Sequence, residues 1–238
     1  MQTYLFEGVV LPERAQLSVH FSVQFTHITS GVTGKADVSV VLNQVAVWVD
    51  SEAEWDIFDL KNTIRNLLQN ELAVIGYLEG FAYDLEVTRV LNRALAIDYV
   101  FGIDIPCIAE RNKAVDKLER LTLIRQKSEG REGVLLHRCF NDLTMAMKSP
   151  EDTGFYCYRA IESLRQHCIM KFDLPPDKKA EQWQKLRDIA GCDESTIRDI
   201  KSAADPVRHG DISSITSKDR EALFTKTWNV VDGYIQNV

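Results

Sequence analysis

Residues 17–28 read LSVHFSVQFTHI, and their side chains alternate strictly between apolar and polar. Val19, Phe21, Val23 and Phe25 share one side of this run, and polar residues occupy the other. A period of two is typical of a β-strand with one buried face. The stretch therefore predicts a sheet at the start of the chain.

A second strand-like run, ADVSVVLNQVAVWVD, covers residues 36–50. Its apolar positions change from even to odd numbers across Asn43 and Gln44. A β-bulge, which inserts one extra residue into a strand, would account for this change of phase. We therefore predict a bulge at that point.

A helix is predicted to follow these strands. Ser51 and Glu54 have the spacing of a capping box, and apolar residues then recur every three or four positions from Ile57 to Leu68. The apolar side of this helix should lie on the apolar face of the sheet. With further strand-like runs on either side, residues 1–110 are expected to form an antiparallel α+β module with one packed helix.

The charges of the chain are divided unevenly. Residues 1–110 contain 6 Lys and Arg against 15 Asp and Glu, a net charge of −9, whereas residues 111–238 contain 22 against 20, a net charge of +2. An acidic surface repels the phosphates of nucleic acid, so we expect the first module to bind a protein partner and do not expect DNA to be a ligand. The change of charge also predicts a domain boundary near residue 110.

Several classes of protein are excluded by features that the sequence lacks. No run approaches the roughly 18 apolar residues of a membrane-spanning helix, and the first residues do not resemble a signal peptide, so we predict a cytoplasmic protein without membrane contact. The five cysteines lack metal-ligand spacing and should be reduced thiols. We expect no metal and no cofactor, because the histidines are scattered and phosphate-loop and hydrolase motifs are missing.

From about residue 111 the period of the apolar residues changes from two to about 3.6, which indicates helices. Four or five amphipathic helices can be placed in residues 111–238. The first should cover residues 112–128 and bury Val115, Leu118, Leu121 and Ile124. The last has a wide apolar face, which suits packing within the bundle and also a dimer interface.

Two short segments of the helical half carry a resemblance to a known family. They are YRAIESL at residues 158–164 and AADPVRHGD at residues 203–211, before the last helix. In this order, residues 112–238 resemble HEPN-type domains. The resemblance implies a helical bundle from a bacterial defence or toxin-type system that pairs as a homodimer. Active members cleave RNA without a metal, using an Arg followed after four to six residues by a His, often as Arg-Asn-x-x-x-His.

That motif is degenerate in this chain. If His209 is the family's histidine, Asp205 stands in place of its asparagine and Ala204 in place of its arginine. Arg208 is adjacent to His209, so on a regular helix the two side chains would point about 100° apart. We expect Asp205 and Pro206 to begin a new turn, which would make the backbone irregular there.

A composite site is the candidate that remains. Its catalytic residues would come from both segments, since family members often carry an acidic residue on the earlier helix: Arg208, His209, Glu162 and Arg159. Two neighbouring carboxylates are candidate binding residues, Asp205 and Asp211. The histidine would move a proton of the ribose 2′-hydroxyl or the leaving oxygen, and an arginine would stabilise charge on the phosphate. Alternatively, Arg208 only pairs with carboxylates to fasten the last two helices, and His209 caps a helix end.

Three functions fit these patterns. The first is a HEPN-like cytoplasmic protein that acts as a dimerising interaction component of a bacterial defence or toxin-type system, without catalytic activity or active only under certain conditions. The second is a metal-independent endoribonuclease with His209 as acid and base. The third is a small-ligand sensor with a pocket between sheet and bundle. RNA is a candidate partner of the helical half.

Overall fold

The computed structural model describes residues 1–27, 31–102, 105–211 and 215–238. The chain divides into two compact units, residues 1–103 and 104–238. The first is a sheet with one helix and the second is helical, which confirms the predicted α+β class. The boundary was predicted after residue 110, but Ile108 packs into the helical core, so the second unit begins earlier along the chain.

Six strands in the described part of the chain form one sheet. They are β1 (Gln2–Leu11), β2 (Val19–Thr26), β3 (Thr33–Val41), β4 (Gln44–Ser51), β5 (Asp84–Asn92) and β6 (Ile97–Val100). Their order across the sheet is β2-β3-β4-β1-β5-β6, and each neighbouring pair is antiparallel. β2 keeps the predicted alternation, with Phe25 buried and His20 exposed. The predicted strand ended at Ile28, which lies outside the described residues.

The predicted bulge at Asn43 is wrong, because a tight hairpin turn lies there. Val41 at the end of β3 pairs with Gln44 at the start of β4. The two residues between them, Leu42 and Asn43, have positive φ angles of 47° and 68°, as a type I′ turn requires. The change of phase therefore comes from two turn residues and not from an extra residue within a strand.

The Asn43 side chain joins this turn to neighbouring segments. It is only 2% exposed. Its oxygen accepts a hydrogen bond from the Leu17 N–H at 2.6 Å, and its amide donates to the Val10 carbonyl at 2.9 Å. Asparagine suits the position because it tolerates the left-handed conformation and offers both a donor and an acceptor.

The helix of the first unit, α1, spans Ile57–Glu79 and contributes to the same core as the strands. Its buried side chains recur at helical spacing: Leu60, Ile64, Leu68 and Leu72. The predicted capping box is wrong, because the Asp56 carboxylate caps α1 by accepting hydrogen bonds from two backbone N–H groups. Ser51 instead ends β4, and its hydroxyl accepts a hydrogen bond from the indole of Trp55 at 2.8 Å.

Seven helices lie in the described residues of the second unit, where four or five were predicted. They are α2 (Pro106–Arg111), α3 (Lys117–Lys127), α4 (Gly133–Lys148), α5 (Thr153–Lys171), α6 (Lys179–Ala190), α7 (Glu194–Arg208) and α8 (Ser217–Asn237). α5 lies at the centre and packs against α4, α6, α7 and α8. None of the helices within the described ranges is long and apolar enough to cross a membrane.

The predicted inward face of α3 is confirmed at Ile124 and wrong at Leu118 and Leu121. Leu118 and Leu121 are 73% and 43% exposed. Ile124 packs against the helical core as predicted, and Leu123 packs against the same core because this side of α3 faces the bundle. The apolar face of α8, by contrast, is buried within the unit itself, with Phe224, Val231 and Tyr234 in its core.

Two glycines bring helices of the second unit into close contact. A Cβ added to Gly154 of α5 would overlap the carbonyl oxygen of Ala203 in α7. A Cβ added to Gly233 of α8 would overlap the carbonyl oxygen of Ala190 in α6. Protein cores are too densely packed to absorb such an overlap without shifting a helix. α6 and α7 are therefore each held by a glycine contact.

Candidate functional site

The AADPVRHGD motif forms the end of α7. The helix continues through Asp205 and Pro206, so the predicted start of a new turn there is wrong. Pro206 is tolerated because it lies in the last turn, where its missing N–H removes one hydrogen bond only. His209 is the C-terminal cap, and Gly210 follows with a φ of 78°. This part of the structural alternative, a histidine at a helix end, is confirmed.

Asp205 is the centre of a small ion-pair group. Its carboxylate accepts hydrogen bonds from Lys201 and, at 3.3 Å, from Arg208. The pKa of Asp205 is lowered, first by the hydrogen bond from Lys201 and further by the charges of Lys201, Arg208 and His209. Arg208, one of the candidate catalytic residues, is therefore already paired with a carboxylate.

The two sequence segments meet at Tyr158 of α5. The guanidinium carbon of Arg208 lies 5.8 Å from the centre of the Tyr158 ring. Burial raises the pKa of the Tyr158 hydroxyl, and the charges of Glu162, Arg165, Arg208 and Asp205 also act on it. The structure thus brings Glu162 and Arg208, both predicted site residues, close to the Tyr158 side chain.

Arg159 is engaged with a different residue, Asp142 of α4. Its Nε donates to one carboxylate oxygen of Asp142 at 2.8 Å, and a second guanidinium nitrogen donates to the same oxygen. Asp142 is 1% exposed. Arg159 also lies 5.3 Å from the centre of the Tyr156 ring. Its side chain therefore compensates a buried charge that the sequence analysis did not single out.

His209 and Asp211 are both exposed. Among the residues that the structure describes, the His209 side chain forms no hydrogen bond or ion pair. An exposed imidazole can accept or donate a proton, but a nuclease also needs a positioned cation at the phosphate. The nearest candidate, Arg208, is held by Asp205.

A second histidine, His167 of α5, is fully buried in the helical core. Its Nδ1 lies 2.8 Å from the hydroxyl of Tyr234, and the two rings meet edge to face. Burial, together with the nearby charge of Lys171, lowers the pKa of His167 to about 4. His167 is therefore neutral at physiological pH. Its position in the sequence offers no sign of this burial.

The described ranges contain neither a group of side chains suited to a metal ion nor a cysteine with a lowered thiol pKa. They contain no group of three or more His, Cys, Asp or Glu side chains that could hold a metal ion. The five cysteines are unpaired. Burial raises the pKa of the Cys157 thiol to about 12, and it also raises the pKa of the other four thiols. Protonated thiols are poor nucleophiles and poor metal ligands.

Two family models match the chain. Residues 4–101 match the N-terminal domain, and residues 121–238 the C-terminal domain, of a family described as "Domain of unknown function (DUF8168)". Each match falls within one of the two structural units. Neither model is described as a HEPN-type domain. No curated protein and no solved structure is significantly similar to the chain.

Proposed function

Since the chain belongs to the DUF8168 family and carries both of its domains, we propose that it is a HEPN-like cytoplasmic interaction component without nuclease activity. The observation that carries this proposal is that both candidate arginines form ion pairs with carboxylates of the same chain. Arg208 is held by Asp205, and Arg159 by the buried Asp142. A nuclease would have to break one of these pairs to position a cation at the scissile phosphate. The setting, a bacterial defence or toxin-type system, follows from the HEPN resemblance.

The alternative function is a metal-independent endoribonuclease. One observation favours it: His209 and Arg208 are both exposed at the end of α7, so RNA could reach them. The ion pair of Arg208 with Asp205 is also solvent-exposed, and such pairs are weak enough to exchange.

An RNA-degradation assay separates the two functions. The full chain, in molar excess, is incubated with single-stranded RNA in the presence of EDTA. Under the proposal the RNA stays intact. Degradation by the wild type that is lost in His209→Ala and kept in His137→Ala would refute the proposal and establish the nuclease. His137 is a matched control because it is an exposed histidine of α4.

The end of α1 supports a protein partner for the acidic unit. Three large apolar side chains in the last turns of α1 are exposed at helical spacing, which places them on one side: Val74, Tyr77 and Leu78. Phe81, just after the helix, is also exposed. Tyr77 is 86% exposed and Leu78 75%. Clustered apolar exposure of this kind marks interaction surfaces in soluble proteins. The complementary partner would present apolar side chains flanked by basic ones, because residues 1–110 have a net charge of −9.

This surface is tested by cross-linking in the native host, followed by mass spectrometry. A genuine partner is recovered with the wild type and with Val134→Ser, and it is lost with the double variant Tyr77→Ser/Leu78→Ser. Val134 is a suitable control because it is an exposed apolar residue of the helical unit. Equal recovery with all three proteins would exclude this surface.

The predicted homodimer is also part of the proposal. α8 buries its apolar face within its own unit, so we place the pairing surface on α3, which exposes Leu118 and Leu121. Light scattering after size-exclusion chromatography should give about twice the chain mass of 27.1 kDa. Leu118→Glu/Leu121→Glu should be monomeric. A monomeric wild type at micromolar concentration would contradict the dimer.

A further inference from the structure

A groove of about 320 Å³ lies between α5, α6 and α7. Two aromatic residues, three cationic ones and one carboxylate contribute to its lining: Tyr158, Trp183, Arg187, Arg198, Lys201 and Glu194. Small-ligand sites have volumes of roughly 300–1,000 Å³, so this groove would take one small molecule or one residue of a chain. Neither the HEPN motif nor the predicted site includes Trp183 or the three cations.

The aromatic part of the groove is held in place by its neighbours. The Tyr158 and Trp183 rings are nearly parallel, with centroids 6.3 Å apart and planes 19° apart. The guanidinium carbon of Arg165 lies 4.9 Å from the centre of the Trp183 ring. Arg208 lies in the same way against Tyr158. The contacts with Tyr158 and Arg165 restrain the indole, which is half-buried and still lines the groove. A restrained aromatic surface binds planar rings at little entropic cost.

The charged part of the groove is positive. Its lining holds three cations, Arg187, Arg198 and Lys201, and one carboxylate, Glu194. Glu194 pairs with Arg198 and, at 4.0 Å, with Arg187, whereas Lys201 pairs with Asp205 beside the groove. Arg198 and Lys201 remain 75% and 47% exposed and can turn toward a ligand. Residues 111–238 as a whole are nearly neutral, with 22 basic against 20 acidic side chains. The positive charge of the groove is therefore a local feature of this surface. A ligand for this groove should therefore be anionic.

We infer that this groove binds a nucleoside phosphate, with the base against Trp183 and the phosphate at Arg198 and Lys201. The ligand combines the two features that the lining requires, a planar ring and a negative charge. A free phosphate would leave the aromatic surface unused, whereas base stacking on an aromatic side chain and phosphate contacts with Arg and Lys are the usual elements of nucleotide recognition. Such a ligand is either a free nucleotide or a nucleotide at an RNA end.

Tryptophan fluorescence of the full chain provides the test. The probes are adenosine 5′-monophosphate, a 5′-phosphorylated oligoadenylate RNA and inorganic phosphate. A nucleotide should quench the tryptophan fluorescence of the wild type, whereas most of this quenching should be lost in Trp183→Phe. Inorganic phosphate should bind at least about tenfold more weakly than the nucleotide, because it lacks the base. Absence of nucleotide binding, or equal binding of phosphate, would overturn the inference.

Surface variants show whether the binding is at the groove. Arg198→Gln/Lys201→Gln should weaken nucleotide binding by about tenfold or more, since both charge-assisted contacts are lost. The matched control Arg138→Gln/Lys117→Gln removes one exposed arginine and one exposed lysine elsewhere in the same unit and should bind as the wild type does. Equal losses in both double variants would mean non-specific attraction and would overturn the inference.

A third variant should change the affinity in the opposite direction. Asp205→Asn releases Lys201 from its carboxylate partner, so nucleotide binding should become about threefold tighter. Weaker binding would contradict the assignment of the phosphate to Lys201.

The affinities for adenosine 5′-monophosphate and for the oligoadenylate RNA together identify the source of the ligand. Equal affinity for the monophosphate and the oligomer indicates a free nucleotide, and preference for the oligomer indicates an RNA end. The inference does not rest on the proposed function. Intact RNA without nucleotide binding overturns the inference alone, and RNA cleavage with normal groove binding overturns the proposed function alone.

Discussion

Arg159 of α5 donates two hydrogen bonds to Asp142 of α4, and this pair places a compensated negative charge inside the bundle. A buried carboxylate without its partner is costly. Arg159→Leu should therefore lower the free energy of unfolding by about 3–5 kcal/mol, measured by urea denaturation. Arg159→Leu/Asp142→Leu should recover much of this loss. The exposed control Arg138→Gln should stay within about 0.5 kcal/mol of the wild type.

If Arg159→Leu lowered the free energy of unfolding by less than about 1 kcal/mol, the Arg159–Asp142 pair would behave like a surface ion pair. The structural role assigned to Arg159 would then be wrong, and its candidacy as a catalytic residue would gain weight.

The β3–β4 turn allows two substitutions with opposite expected effects. Leu42 has a φ of 47° and is 63% exposed, so Leu42→Asn should stabilise the protein by about 0.5 kcal/mol because asparagine adopts this conformation more readily. Asn43→Ala should destabilise it by about 2–3 kcal/mol, since it leaves the Leu17 N–H and the Val10 carbonyl without their buried partner. Thermal denaturation should show a higher melting temperature than the wild type for Leu42→Asn and a lower one for Asn43→Ala. Two changes of the same sign would contradict the turn geometry.

His167 should make the stability depend on pH. Its pKa is about 4 in the folded chain and about 6.5 in an unfolded one. Above pH 6.5 the imidazole is neutral in both states and its contribution is complete. Between pH 6.5 and pH 4 only the unfolded chain binds the proton, so stability falls by up to about 1.4 kcal/mol per pH unit, or about 3 kcal/mol in total.

The variant His167→Gln isolates this effect, because glutamine can still hydrogen-bond Tyr234 and does not titrate. Urea denaturation from pH 7 to pH 4 should show a smaller loss for His167→Gln than for the wild type. His137→Gln, which changes an exposed histidine, should follow the wild type. Parallel curves for wild type and His167→Gln would show that His167 is not the titrating group.

Arg220 of α8 should stabilise the helical unit, because it donates hydrogen bonds to backbone carbonyls at the C-terminal end of α4. Its guanidinium donates to the backbone carbonyls of Ala146 and Met147 at 3.0 and 2.6 Å, and to the Thr153 hydroxyl at 2.8 Å. Arg220→Met keeps much of the apolar stem but removes these donors. The free energy of unfolding should fall by about 2–3 kcal/mol. A loss no larger than that of Arg138→Gln would show that solvent replaces the guanidinium.

The strands and most helices could be predicted because their signals are local. The alternation from Val19 to Phe25 and the helical spacing from Ile57 to Leu68 both correspond to buried faces in the structure. The pattern around Asn43 does not distinguish a hairpin from a bulge, because a two-residue turn and a one-residue bulge both shift the phase of an alternating pattern. The turn is distinguished by two positive φ angles, which a leucine at the first position does not signal.

The site could be predicted only in part, because its contacts join residues far apart in the chain. Glu162 and Arg208 were grouped from two motifs, and both do lie near Tyr158. The partner of Arg159 depends on how α4 crosses α5, which spacing within either helix does not specify. Trp183 meets Tyr158 for the same kind of reason, since the packing of α6 on α5 brings them together.

Gly154 and Gly233 fix α7 against α5 and α6 against α8 at backbone distance. The walls of the groove therefore cannot separate without disrupting the packing of the whole helical unit. Such a site selects its ligand by fit to a constant width and not by closing around it. In this chain, a change of ligand would have to arise through side-chain replacement along α6 and α7, because the two glycine contacts keep the backbone frame unchanged.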